Sequence, residues 1–416
     1  MKLNKSFSPW DSNRTSFVCN MTLENKPVCP MCSCSGLTTF FTMPDVPVFC
    51  NKLWPEAASA RECVRGDIEL AFCDQCGFIT NLCFDEHLMD YNEHYDNSLH
   101  HSSVFQEYIE NAASDLIKRY NLHDKNIIEI GSGQGDFIRL LCRQGDNRGI
   151  GFDPAFVARN GSDNPNGHVR FIRDFYSTRY SHIPADLFCC RFVLEHLNNP
   201  SHLLATIRAS CDGRSETALY VQVPNSSFIL TEVALWDIIY EHCSYFTPRS
   251  LYYMIRCAGF RVTELVEEYA DQYLSAHAVF TNGKTKLKQG SNNMHYQPLK
   301  TRLDKFQSRA DRIRRQWRAF LSASVEIGLN VVLWGAGSKG VTFLNQVDPE
   351  RAVSCVVDVN PKKQGHYIPG TGQAIISPDD LVPEKPDIVI VANPVYMTEI
   401  KNKLQSLALN PELISL

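Results

Sequence analysis

No apolar run in this 416-residue chain approaches the length a membrane helix needs, which is about 20 residues. The opening stretch MKLNKSFSPWDSNRT has no apolar core, so no secretory signal is expected in it. Excess positive charge is missing as well: the formal charge is −5. That balance gives no bulk attraction to nucleic acid or to an anionic membrane, and neither is expected as a partner. No solenoid-type repeat recurs along the chain. What the sequence has in quantity is cysteine, 16 residues of it. A large chain with no export signal is expected in the reducing cytoplasm, where thiols stay free, so some of these cysteines should be metal ligands.

Five zones follow one another. Residues 1–88 are rich in Cys and Pro and poor in periodic pattern. From 89 to 280, apolar strands and amphipathic helices alternate. Residues 281–300 are polar and read as an exposed connection, and an amphipathic helix follows to about residue 328. Its Leu303, Phe306, Ala310, Ile313, Trp317 and Phe320 recur at helical spacing and mark a buried face. Its Arg309, Arg312, Arg314, Arg315 and Arg318 are expected on the solvated one. Residues 328–416 open a second alternating unit. The expected divisions are therefore 1–88, 89–280, 281–327 (linker and helix) and 328–416.

The first zone holds Cys29-Pro-Met-Cys32 and Cys73-Asp-Gln-Cys76. A CxxC turn presents two thiolates to one cation, and two such turns complete a tetrahedral Zn–S4 shell. Gly77 stands just after the second knuckle, where a tight turn needs it. Cys34, Cys50, Cys63 and Cys83 are spare, but the paired spacing favours the four named. Four thiolates leave no open position for water, so such a zinc is structural rather than catalytic.

In the second zone, KNIIEIGSGQGDFIRLL reads as strand, glycine turn and helix, with Gly131, Gly133 and Gly135 spaced E-x-G-x-G-x-G. This is not the G-x-G-x-x-G of dinucleotide enzymes. The spacing suits a sulfonium amino acid, which needs close backbone approach and an acid near its ammonium group. Glu129 is placed to anchor the loop. Asp153, ending the strand GIGFDP, can accept from ribose hydroxyls. Asp174 of FIRDF can bond an adenine amino group while Phe175 covers the ring. Glu195-His196, after the fourth strand, reads mostly as packing and capping. The order of elements resembles a class I S-adenosylmethionine-dependent methyltransferase, an open α/β sheet with ligand at the carboxyl ends of its strands.

CPMC and CDQC, the lead-in YDNSLHHSSVFQEY, EIGSGQG, GFDP, CRFVLEHL, YEHCSYFT and LWGAGSKG together sharpen this. Nearly the whole chain resembles the C-methyltransferases that methylate C3 of nucleotide-linked 4-keto-6-deoxysugars. The resemblance implies a class I methyltransferase sheet flanked by an N-terminal zinc-knuckle domain and a C-terminal Rossmann-like domain. It implies S-adenosylmethionine and a structural zinc ion as cofactors, and a thymidine- or guanosine-diphosphate-linked keto sugar as partner. In the family a histidine of a Tyr/Glu/His motif is the proposed general base; the matching residues are Tyr240, Glu241 and His242. The family pattern, Tyr-x-Glu-His, is one residue longer, and it leads one to expect a histidine where Phe192 stands.

A carbon must lose a proton before it can attack a sulfonium methyl, and the ketone at C4 acidifies the proton on C3. His242 is expected to take that proton, Glu241 to orient it, Tyr240 to stabilise the enolate oxygen and Tyr95 to close over the site. The last zone carries Gly335, Gly337 and Gly340 in a true G-x-G-x-x-G, with Asp358 behind it. Methyl transfer gives a second cofactor no task, so this unit is expected to be a scaffold. An O-methyltransferase, or a nucleotide-sugar oxidoreductase using that motif, is the competing reading; a binding protein without turnover is disfavoured by the intact Glu129, glycines and Asp153.

Overall fold

A computed structural model describes residues 27–89, 96–157, 168–211, 216–281, 296–348 and 351–416. Tyr95 and the polar stretch 282–295 lie outside the described residues. The first elements are β1 (Leu37–Pro47), α1 (Ala57–Arg61), β2 (Arg65–Cys73) and β3 (Ile79–Asn81). There follow α2 (Ser103–Tyr120), β4 (Asn126–Ile130), α3 (Asp136–Gly145), β5 (Arg148–Phe152), β6 (Val169–Ile172), β7 (Leu187–Arg191), α4 (Pro200–Ser210), β8 (Ala218–Pro224) and α5 (Ser226–Glu232). Next come β9 (Ser244–Tyr245), α6 (Pro248–Cys257), β10 (Phe260–Glu268), β11 (Tyr273–Phe280) and α7 (Tyr296–Glu326). The last unit is β12 (Val331–Trp334), α8 (Ser338–Val347), β13 (Val353–Val357), β14 (Ile375–Ile376), β15 (Ile388–Val391), α9 (Met397–Ser406) and β16 (Glu412–Ser415).

The central sheet has seven strands in the order β10-β11-β8-β7-β4-β5-β6. Its strands pair in parallel from β8 to β6, while β11 runs antiparallel to both its neighbours. That is the class I methyltransferase topology. Strands such as NIIEI and LFCCR are apolar almost throughout because parallel strands are covered on both faces. The chain moves outward one way through β5 and β6, then returns beside β4 to build β7 and β8. The crevice at that reversal opens at the carboxyl ends of β4 and β7, where an open α/β sheet binds its ligand.

Two smaller sheets flank it. The N-terminal sheet, β1-β2-β3-β9, borrows its fourth strand, Ser244–Tyr245, from the segment that carries Tyr240, Glu241 and His242. The C-terminal sheet, β14-β13-β12-β15-β16, is parallel throughout. Helix α7 ties the two: Leu303, Phe306 and Ala310 are buried, and Phe306 meets Phe40 and Phe41 of β1 edge-on at 5.9 and 5.1 Å. Arg314 departs from the expected solvated face. It is only 9% exposed, lies over the Phe41 ring and pairs with Asp311 at 2.7 Å. A guanidinium with a partner and an aromatic face can be buried where a lone charge cannot. No helix among the described residues is long and apolar enough to cross a membrane.

Candidate active site

The glycine loop leaves β4 at its carboxyl end with three left-handed residues, Gly131 (φ 71°), Gly133 (φ 53°) and Gly135 (φ 86°). A Cβ at Gly131 would run into the Val193 side chain, and one at Gly135 into the Phe171 ring. Glu129, 3% exposed, accepts from the Ile138 amide at 3.0 Å and so holds the first turn of α3 against the strand. Burial pushes its carboxyl up to about 8. Asp153, at the end of β5, accepts from Gly133 N at 2.7 Å and from Ala155 N at 2.8 Å. Burial raises its pKa, opposed by those two amides. An ionised carboxylate has about four acceptor positions, so two remain for a ligand's hydroxyls. Beyond β6, Asp174 accepts from Phe175 N at 2.8 Å and from the Tyr180 hydroxyl at 2.6 Å, and the latter bond lowers its pKa. Phe175 is 68% exposed, an aromatic face with little covering it. His100, from the lead-in, reaches Asp136 at 3.4 Å on the first turn of α3. Nothing in the sequence pattern singled it out.

The loop after β7 carries the next groups. Phe192 adopts φ 54°, an unusual conformation for a bulky side chain, and its ring rests on Tyr273 at 4.8 Å. A strained residue at a strand's carboxyl end is a common accompaniment of a functional loop. Val193 then packs on Gly131, and a single 3-10 turn, Leu194–His196, places Glu195 and His196. Glu195 is packed and His196 caps the Glu241 carbonyl, as expected for that pair, and the turn also brings both beside His242. His196 meets His242 with ring centroids 4.9 Å apart, and a Glu195 carboxyl oxygen and one nitrogen of each ring all lie within 4.8 Å of one another. The cluster was hidden because its members are far apart in sequence and no motif spacing joins them.

The hydrogen bonds around the cluster fix its protons. His196 Nδ1 lies 2.9 Å from the Glu241 carbonyl oxygen. A carbonyl can only accept, so Nδ1 carries the hydrogen and Nε2 presents a lone pair. Burial lowers the His196 pKa to about 4 and, with His196 beside it, takes that of His242 well below the usual imidazole value. Both rings are therefore neutral at pH 7. His242 Nδ1 and Glu195 Oε2 are buried without a hydrogen-bond partner. Glu241 is fully buried and accepts from Cys50 N at 3.0 Å, which locks the backbone whose carbonyl orients His196.

Tyr240 faces elsewhere. Its hydroxyl accepts from Asp85 N at 2.9 Å and lies 3.3 Å from the Cys83 carbonyl, while its ring fills the space a Cβ on Gly66 would need. It fastens the N-terminal sheet to the segment before His242. Those bonds hold the Tyr240 hydroxyl away from the enolate-oxygen role expected for it.

The four knuckle cysteines converge. Cys29 and Cys76 sulfurs are 3.6 Å apart, Cys32 and Cys73 sulfurs 3.5 Å, and all four lie within 4.8 Å of one another. Tetrahedral ligation at a Zn–S distance of about 2.3 Å implies sulfurs about 3.8 Å apart, close to this spacing. Crowding of the thiols draws the Cys29 pKa down to about 5 and pushes that of Cys76 up, chiefly through the bond between the two. Gly77, at φ 78°, returns its amide to Cys73 O and closes the second knuckle.

Comparison with known proteins agrees with this architecture. Residues 105–265 match the family described as a methyltransferase domain, and residues 285–411 match the C-methyltransferase C-terminal domain. The C-methyltransferase NovU of Streptomyces niveus is 26% identical over 313 residues, covering 68% of this chain and 70% of that protein. Among solved structures, the N,N-8-amino-8-demethyl-D-riboflavin dimethyltransferase RosA of Streptomyces davawensis is similar at a TM-score of 0.35 and 19% identity, over 42% of this chain and 56% of that one. The 1,6-didemethyltoxoflavin-N1-methyltransferase of Burkholderia thailandensis, bound to S-adenosylhomocysteine, is similar at a TM-score of 0.34 and 18% identity, over 43% of this chain and 82% of that one. The seven-stranded topology and the two family matches, in order along one polypeptide, support an S-adenosylmethionine-dependent C-methyltransferase.

Proposed function

We propose that the chain methylates C3 of a nucleotide-linked 4-keto-6-deoxysugar, through an enolate, as a step in making a branched deoxysugar. The observation that carries this reading is the His196–His242 pair, with ring centroids 4.9 Å apart, where the loops after β7 and β8 meet. Carbon methylation needs a base that is unprotonated at working pH, and a ketone beside the reacting carbon makes its proton removable by an imidazole.

His242 accepts the C3 proton at a ring nitrogen. The electron pair of that C–H bond becomes the C3–C4 double bond, and the carbonyl pair moves onto the C4 oxygen. S-adenosylmethionine supplies a sulfonium-bound methyl as electrophile, and attack by C3 forms the new C–C bond while the S–CH3 bond breaks. Glu241 acts on the base at one remove, through the backbone that orients His196. Glu129, Gly131, Gly133 and Gly135 shape the donor's loop, Asp153 meets its ribose, and Asp174 with the exposed Phe175 meets its adenine. In-line alignment of the three reacting atoms provides much of the remaining rate. Tyr95 is proposed to close over this crevice.

The four cysteines fit a zinc ion that fastens the N-terminal sheet and takes no part in the chemistry. Among the described residues no cysteine is joined in a disulfide, which suits the reducing cytoplasm as its compartment. The test is turnover of thymidine-diphosphate-4-keto-6-deoxyglucose and guanosine-diphosphate-4-keto-6-deoxymannose with S-adenosylmethionine, read by product NMR. A new quaternary carbon at C3 is expected; a methoxy signal would replace this reading with O-methylation. His242→Asn should lower the rate by about 10²–10⁴, the usual worth of a general base, with S-adenosylhomocysteine still raising the melting temperature. Near wild-type turnover by that variant would sink the base assignment.

A further inference from the structure

An enolate forming at C4 places negative charge on an oxygen, and a site that excludes water has to meet it with a hydrogen-bond donor. The aromatic hydroxyls of the YEHCSYF segment are committed. Tyr240 is held by Asp85 and Cys83, and the Tyr245 hydroxyl donates to Ile239 O at 3.2 Å. His196 has its Nδ1 hydrogen on the Glu241 carbonyl, and its Nε2 is an acceptor. His242 is reserved for the C3 proton. One side chain of the cluster is left, Glu195.

Glu195 is 2% exposed and its Oε2 has no hydrogen-bond partner. It is fixed from both sides, by Val193 packed on Gly131 and by its own carbonyl accepting Cys243 N at 2.9 Å. We propose that Glu195 donates a carboxylic-acid hydrogen bond from its side chain to the C4 oxygen of the substrate as enolate charge develops there. This rests on the keto-sugar reading above and supplies the donor that Tyr240 does not.

The protonation such a role requires has a physical cause. The groups facing Glu195 are Cys190 on β7, His196 on its own turn, His242 and Cys243 on the segment after β8, and Tyr273 on β11. None of these is cationic at pH 7, since burial leaves both imidazoles neutral. With no cation to hold the carboxylate, desolvation pushes Glu195 up to about 8. A carboxyl kept neutral by an apolar site can serve as an oxyanion donor. The donor is present below that value and is lost as Glu195 ionises above it.

Glu195→Gln and Glu195→Ala separate the possibilities, because glutamine keeps a donor at neutral charge and alanine does not. With thymidine-diphosphate-4-keto-6-deoxyglucose, Glu195→Ala should lose about 10²–10³ in rate, the worth of one oxyanion donor. Glu195→Gln should stay within about tenfold of wild type and lack the fall in rate that wild type shows above pH 8. Exchange of the C3 proton into deuterium oxide, with S-adenosylhomocysteine in place of the methyl donor, should follow the same order. Melting gives a readout free of turnover. The folded-state pKa of Glu195 is raised, so wild type loses stability as pH climbs from about 4.5 toward 8, and Glu195→Gln should gain on it over that range. Should Glu195→Ala prove unfolded, the Gln variant carries both tests. Glu195→Gln as crippled as Glu195→Ala, or an alkaline limb persisting in Glu195→Gln, would overturn the proposal while leaving the base mechanism standing. Absence of C3 exchange in wild type would overturn both.

Discussion

At the carboxyl end of β5, Asp153 accepts from Gly133 N at 2.7 Å and from Ala155 N at 2.8 Å; at the end of β13, Asp358 accepts from Ala336 N and from Asn360 N, both at 2.8 Å. The two glycine turns are thus held by the same device, an acid from the second strand clamping the loop of the first. What differs is what lies over them. The first loop is braced by Val193 and, through Asp136, by His100. The second is covered by other parts of the chain. Asn51 donates to Ser338 Oγ at 3.2 Å, Lys363 donates to Ala336 O at 3.0 Å and to Asn51 at 3.1 Å, and Lys339 pairs with Asp237. The helix N-terminus where a dinucleotide's phosphates would rest is occupied by protein contacts. A glycine fingerprint describes a backbone conformation, and the neighbours decide whether a ligand can use it.

The comparison is tested most severely at the glycines themselves. Gly131→Ala puts a Cβ at positive φ and into Val193, which disturbs the donor loop and the Glu195–His196 turn together. We expect turnover to fall by about 10² or more and the melting shift with S-adenosylhomocysteine to vanish, since loop strain and a misplaced catalytic group act in the same direction. Gly335→Ala, at φ 120° and close to Ala392, should lower the melting temperature but keep that ligand shift. A smaller effect is expected from the paired acids. Asp153→Asn should weaken S-adenosylmethionine binding by about 10–100-fold, the range for a hydrogen bond to a charged group. Asp358→Asn should leave affinity within about threefold of wild type, by calorimetry. If Asp358→Asn weakens the methyl donor as much as Asp153→Asn does, the division of labour between the loops is wrong.

Much of this was legible in the sequence. Apolar strands such as NIIEI, the spacing of Gly131, Gly133 and Gly135, and the paired CxxC turns are local patterns, and locally coded geometry survives folding. The buried face of α7 was legible for the same reason, whereas Arg314 was not. Its place over Phe41 depends on a strand more than 250 residues earlier in the 416-residue chain. Tyr240 shows the limit most clearly. Tyr240 and His242 stand two positions apart in one motif, yet the tyrosine turns to Asp85 and the histidine to His196. No local pattern joins Glu195 and His196 to His242, because they meet only where the loops after β7 and β8 come together.

Ligand binding offers a gentler test of the two loops. Saturating S-adenosylhomocysteine at about 100 times its dissociation constant should stabilise the protein by about 2.7 kcal/mol, and NAD(H) at millimolar concentration should give no shift. A comparable shift with NAD(H) would reopen the oxidoreductase reading of the second loop.

The smallest effect we expect is at Lys339. Its ammonium sits on both oxygens of Asp237, with side-chain exposures of 19% and 23%. Asp237 immediately precedes the segment 238–242, so this ion pair joins the second glycine loop to the chain that carries the proposed base. In a working dinucleotide loop a lysine at this position would face phosphate, and its removal would be nearly silent without ligand. Here Lys339→Met leaves Asp237 partly buried and unmatched, which should lower the melting temperature by a few degrees, at about 2–4 °C per kcal/mol for a unit of 150–250 residues. Asp237→Asn in the same chain should recover part of the loss, because it removes the unmatched charge. Turnover should change by less than about threefold, since the pair braces the segment without touching the imidazoles. A Lys339→Met protein that melts like wild type but binds NAD(H) less tightly than wild type would mean that the second loop is a ligand site after all.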